Sequence, residues 1–157
     1  MTDRRLDRVF IFRDQLSFLI PHEWIESEED GENYLYHTPG ATSGWLRVSL
    51  ISIKPAAPSK EELEKLLAER AEKEGGVLYR AGENIIAAWE QPSEEHEIPI
   101  INYWWAVGYC HGPHLSHEAM FSYTILQEKR DDFETKEMLT LLLELIAATQ
   151  FAEQKIT

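Results

Sequence analysis

The segment Ile98 to Cys110 constrains this chain more than any other. It reads IPIINYWWAVGYC, and it is apolar in both registers of a two-residue repeat. As a strand it places Ile100, Trp104 and Ala106 on one face and Ile101, Trp105 and Val107 on the other. A strand that is apolar on both faces is central in its sheet and covered on both sides. The rest of the chain must therefore supply neighbouring strands and two covering layers.

The opening of the chain supplies strands. Val9 to Phe12 and Leu16 to Ile20 are short apolar runs around Arg13-Asp14-Gln15, which predicts a tight hairpin. Leu16, Phe18 and Ile20 alternate with Ser17, the pattern of a half-buried strand. Pro21 stops it, and Trp24 follows where a large ring can close the edge of the core. Glu26 to Glu32 reads as a charged turn with Asp30-Gly31 at its tip, and Tyr34 to His37 as the returning strand. Those acids lack the alternating ligand spacing of a calcium loop. Trp45 to Ile53 is the next strand, broken by Pro55 and Pro58.

A helix follows. Ser59 and Glu62 form an S-x-x-E capping box, Leu63, Leu66, Leu67 and Ala71 recur at helical spacing, and Gly75-Gly76 stops the run. Val77 to Arg80 and Ile85 to Glu90 are then strands around a turn at Gly82, and residues 91–97 form a polar loop. After the central strand, Gly112-Pro113 turns the chain into Leu115 to Leu126, where Ala119, Phe121, Tyr123 and Ile125 share a face. A broad apolar stripe from Phe133 to Phe151 predicts a final buried helix, with Asp131 or Asp132 as its cap. The expectation is one α+β domain over residues 1–157. It is an antiparallel sheet of about six to eight strands with helices on both faces, an α/β/α sandwich.

Charge narrows the function. Twenty-eight acids against fifteen bases give a formal net charge of −13. Nucleic-acid backbones and anionic lipid heads would be repelled, and a basic protein partner would be attracted. The single cysteine, Cys110, excludes an intrachain disulfide. MTDRRLDRVF carries charges without an apolar run behind them, unlike a secretory signal, and no stretch is apolar enough to span a bilayer. A cytoplasmic location is the resulting expectation.

The opening Leu16-Ser17-Phe18-Leu19-Ile20-Pro21-His22-Glu23-Trp24 resembles the PsbP-like superfamily, which includes the Ran-binding Mog proteins. Members often begin with an apolar strand, a proline, a short gap and a tryptophan. They also share a later strand like Gly44-Trp45-Leu46-Arg47-Val48-Ser49-Leu50 that leads into a helix like Ser59 to Lys73. The resemblance implies mostly non-enzymatic roles: photosystem accessory proteins, a Ran-binding factor, lipoproteins, and chaperones of secreted toxins. It carries over no functional residue.

Cys110, His111, His114 and His117 are the residues that invite a metal or a Cys-His nucleophile. Neighbours on a strand point to opposite faces, so Cys110 and His111 diverge, and neither a metal site nor a catalytic residue is assigned. Paired acids such as Glu28-Glu29 and Glu61-Glu62 lie in turns or at a helix start, and no glycine pattern cradles phosphate. No cofactor is expected. Tyr103, Trp105 and Tyr109, with His111 and His114, are the candidate partner- or ligand-binding residues, because Trp and Tyr dominate binding hot spots. The expected function is a non-catalytic protein-binding domain: an accessory factor, adaptor, chaperone or toxin-neutralising partner. The alternative is small-ligand binding in an aromatic cleft around Tyr103 or Trp105 on the open side of the sheet. An enzyme using the Cys110–His117 region comes third.

Overall fold

The computed structural model describes residues 5–12, 14–29, 33–38, 44–55, 60–111 and 115–151. Five strands come first: β1 (Leu6–Ile11), β2 (Leu16–Pro21), β3 (Ile25–Glu29), β4 (Asn33–His37) and β5 (Trp45–Pro55). Helix α1 (Lys60–Glu74) leads into β6 (Val77–Ala81), β7 (Asn84–Glu95), β8 (Ile98–His111) and β9 (Leu115–Leu126). A short 3-10 turn at Gln127–Lys129, helix α2 (Phe133–Ala147) and β10 (Gln150–Phe151) follow. Seven strands form the main sheet in the order β3-β4-β5-β9-β8-β7-β6, and β1-β2-β10 form a small second sheet. Neighbouring strands in both are antiparallel. The α+β class and the antiparallel platform read from the sequence are what the structure shows.

Strand β8 lies inside the main sheet, and each of its two apolar faces enters a core. Its odd-numbered face carries Ile101, Trp105, Val107 and Tyr109 into the larger core, with Phe18, Phe121, Leu142 and Phe151. Its even-numbered face carries Ala106 into a smaller core with Leu63, Leu67 and Ala71 of α1 and Ile85, Ala87 and Trp89 of β7. Gly108 is what lets α1 sit close: a Cβ there would lie 2.8 Å from Leu67 Cδ1. Helix α1 ends as a Schellman motif. Gly75, at φ 73°, donates to the Glu72 carbonyl and Gly76 to the Ala71 carbonyl. The predicted N-cap Ser59 and the tip Asp30-Gly31 lie outside the described residues.

Several features differ from the sequence expectations. The β1–β2 hairpin leaves the main sheet and packs over its odd face, where the Phe18 ring meets Tyr36 and Phe121 edge-on at 5.4 Å. Strand β2 is consequently buried on both faces; Ser17 is enclosed and accepts a hydrogen bond from Arg8 at 3.1 Å. Ile25–Glu29 is a strand rather than a charged turn, because β4 offers it a partner and an exposed edge tolerates acids. Strand β7 continues through Glu95, and the polar loop shrinks to a two-residue turn at His96 and Glu97, both left-handed at φ 52° and 68°. Helix α2 stops at Ala147. The Asn84 amide donates to the Thr149 carbonyl at 2.7 Å, and Phe151 pairs with Leu16 in β10. Asp132 occupies the N-cap position of α2, but its side chain makes no capping bond. Leu66 of α1, read as part of its inner stripe, points outward.

Candidate functional site

Helix α1 is too short to cover its face of the sheet. Fifteen helical residues span about 22 Å, whereas the fourteen of β8 span about 46 Å. It therefore packs over the end of the face formed by Ile85, Ala87, Trp89, Ala106 and Gly108, and the remainder is left open. Register decides which side chains line that open part. Leu35 is opposite Arg47, Trp45 opposite Thr124, Thr124 opposite Asn102, and Glu95 opposite Ile98, so all of these lie on the α1 side.

The face is concave. Leu35 of β4 and Glu95 of β7 both line one cleft of about 300 Å³, together with Trp45, Arg47 and Thr124. Four strand spacings separate β4 from β7, which in a flat sheet would hold them about 19 Å apart. The sheet must curl, and the β7–β8 hairpin beyond Trp89 becomes an arm that closes over the face. Every residue of the arm from Glu90 to Pro99 is exposed. The result is a trough with the arm as one wall.

Aromatic rings stand at both ends of the trough. At its α1 end Trp89 and Trp104 stack at 6.2 Å, with the Arg70 guanidinium 5.0 Å above the Trp89 ring. Trp104 Nε1 donates to Gln91 Oε1 at 3.2 Å, and Thr124 Oγ1 donates to Asn102 Oδ1 at 2.5 Å. At the other end the His37 and Trp45 rings lie 4.1 Å apart. Trp45, Arg47, Trp104 and Thr124 are half-buried, which leaves edges available to a partner. Beyond Glu95, at the start of β8 and the end of β9, Ile98, Pro99, Leu126, Gln127 and Glu128 line a second hollow of about 410 Å³.

The residues singled out from the sequence lie elsewhere. Trp105 is buried in the larger core, and Tyr109 stacks on Phe151 at 5.9 Å. Tyr103, half-buried on the same odd face, has its phenol pKa raised, first by burial and then by the Glu90 carboxylate. Cys110 is half-buried against the smaller core, whereas His117 is fully buried beside Tyr109 and Phe151. Cys110 and His117 thus lie on opposite faces of the sheet. The His111 side chain and the whole of His114 lie outside the described residues. Among the described residues no three His, Cys, Asp or Glu side chains group to hold a metal, and no helix is long and apolar enough to cross a membrane. Sequence reasoning missed the trough, although the mismatch between helix and strand lengths and the parity of Trp104 pointed to it.

No protein-family model matches this chain, and no curated protein does. Solved structures do. A crystal structure from Bacteroides thetaiotaomicron superposes on 92% of this chain and 47% of its own, at 16% identity and a TM-score of 0.64. The chain thus spans about half the length of that protein. The Ran-binding protein Mog1p of Saccharomyces cerevisiae matches over 95% of this chain and 96% of its own, at 9% identity and a TM-score of 0.55. A point mutant of Mog1 matches over 94% of this chain and 96% of its own, at 9% identity and a TM-score of 0.52. The Mog-type likeness holds at the level of fold.

Proposed function

We propose that this chain is a non-catalytic protein-binding domain that holds its partner in the trough. The observation that carries this reading is the half-exposed set Trp45, Arg47 and Trp104 on a concave face that α1 leaves open. Trp and Arg are the residue types that dominate binding hot spots. Mog1p, whose fold runs alongside this one almost end to end, is itself a Ran-binding protein. A net charge of −13 favours a basic partner and disfavours nucleic acid. An accessory, adaptor, chaperone or toxin-neutralising role fits that pattern, and a chain with a single cysteine fits a reducing, cytoplasmic setting.

The test is affinity capture from native lysate with the wild-type chain beside Trp45→Ala and Arg47→Ala. The reading expects a protein recovered at low salt, released as salt rises, and lost with both variants. A partner recovered equally well by both variants would refute it.

A second reading is favoured by one observation: the Trp45–Arg47 cleft, at about 300 Å³, reaches the lower end of small-molecule sites of about 300–1,000 Å³. It expects a metabolite to quench tryptophan fluorescence in the wild type and not in Trp45→Ala.

A further inference from the structure

The far end of the trough specifies the partner's chemistry, and this inference rests on the protein-binding reading above. Ile98 stands 52% exposed between Glu97 and Pro99, on an arm whose other residues are polar apart from two prolines. It is not isolated. Ile98, Pro99 and Leu126 form the apolar floor of the 410 Å³ hollow, with Gln127 and Glu128 at the rim. The arm's tip adds Glu94, Glu95 and Glu97, and residues 90–99 contain no Lys or Arg. The two cations nearest in sequence are already engaged: Lys129 lies 3.9 Å from Asp132, and Arg130 is 2.7 Å from Glu90. Glu94, Glu95 and Glu97 have no ion pair among the described residues. An apolar hollow with the Glu128 carboxylate in its lining, and with Glu95 and Glu97 on the adjoining arm, complements an apolar side chain flanked by cations.

We infer that this hollow seats an extended basic segment of the partner. One aliphatic side chain fills the Ile98–Pro99–Leu126 floor, and Lys or Arg residues on either side face Glu95, Glu97 and Glu128. The segment continues naturally into the trough, because Glu95, the register partner of Ile98, also lines the Trp45 cleft. Apolar burial supplies the anchor, and the acids supply orientation and speed of encounter.

The test uses the full chain, labelled with ¹⁵N. The probes are an amidated peptide with a central leucine between two pairs of basic residues, the same peptide with a central serine, and one with acidic flanks. The inference expects the leucine peptide to shift the amides of Ile98, Leu126, Gln127 and Glu128. It also expects affinity to fall at least five-fold with the serine or acidic peptide, with Ile98→Ser, and with the double Glu95→Gln, Glu97→Gln variant. Equal binding of the serine peptide would mean charge alone and would overturn it. So would shifts confined to other faces, or no shift at millimolar peptide. The outcome is separable from the broader reading: a captured partner that needs Trp45 but ignores Ile98→Ser removes this inference and keeps the protein-binding domain.

Discussion

Truncating Leu67 to alanine tests whether the even face of β8 is closed by α1 in the way described. Leu67 is 2% exposed and packs with Leu63, Ala71, Ala87, Trp89 and Ala106. Removing a leucine from such a site costs about 2–5 kcal/mol, as lost transfer energy plus a residual cavity. At about 2–4 °C per kcal/mol for a domain of this size, the midpoint of thermal unfolding falls by roughly 4–20 °C. Leu66, next in sequence but 55% exposed, is the internal control, and Leu66→Ala stays within about 0.5 kcal/mol. Gly108 completes a cycle. A methyl there meets Leu67 Cδ1 at 2.8 Å and the two Leu63 methyls at 3.3 and 3.4 Å, so Gly108→Ala overpacks the interface by about 1–3 kcal/mol. In the Leu67→Ala background the new methyl enters vacated space, so the double variant should be less destabilised than the sum of the singles by about 1–2 kcal/mol. Urea unfolding followed by tryptophan fluorescence reads all four proteins. Additivity within about 0.5 kcal/mol, or a Leu66 variant as damaging as the Leu67 variant, would refute the packing argument.

Other expectations are independent of that interface. Asn84→Ala removes buried amide bonds to the Thr149 and Ala147 carbonyls, so it should lose about 1–3 kcal/mol and speed hydrogen exchange at Thr149 to Phe151. Gly44→Ala forces a side chain into φ 87° and drives its Cβ against Tyr123 Oη, for a loss of about 1–3 kcal/mol in chemical unfolding. Burial pushes the phenols of Tyr79 and Tyr123 up to about 12. Above about pH 10 the unfolded chain gives up these protons while the folded chain keeps them until about pH 12. The unfolded state then binds fewer protons, so stability should fall as pH rises through that window and should not depend on these two groups below it. A urea midpoint that rises between about pH 10 and 12 would contradict the assignment.

The architecture was legible where local pattern and tertiary packing agree. The two apolar registers of Ile98 to Cys110 implied a covered central strand, and the Gly75-Gly76 stop was readable from backbone chemistry alone. The parts that were not legible are set by distant partners. Ile25–Glu29 has the composition of a solvated turn, and it becomes a strand because β4 lies beside it. Gln91 to Glu95 is polar on both faces because the arm leaves the core, and pairing with β8 is what holds it extended. Pro92 is tolerated there because β6 pairs with β7 only as far as Ala88, after which β7 is an edge. The turn at His96 and Glu97 lacks the Asn-Gly or Asp-Gly signature of its type. Two-residue β10 is invisible without knowing that Leu16 waits opposite Phe151.

The aromatic residues singled out from the sequence and the trough lie on opposite faces of β8. Aromatic density drew attention to Tyr103, Trp105 and Tyr109, which share the odd face of β8 and serve the larger core. The open face is marked instead by Trp45 and Arg47 of β5 and Trp104 of β8, and Trp45 and Arg47 share a cleft with Glu95 of β7 only once the sheet has curled.

The central claim is that the curled α1-side face, and not the opposite one, receives a protein partner. Hydrogen exchange of the full chain, free and saturated with a captured partner, tests it most directly. The account predicts protection concentrated on Leu35 to His37, Trp45 to Ser49 and the arm from Gln91 to Pro99. Protection confined to β1 and α2, with those segments exchanging as in the free chain, would contradict it.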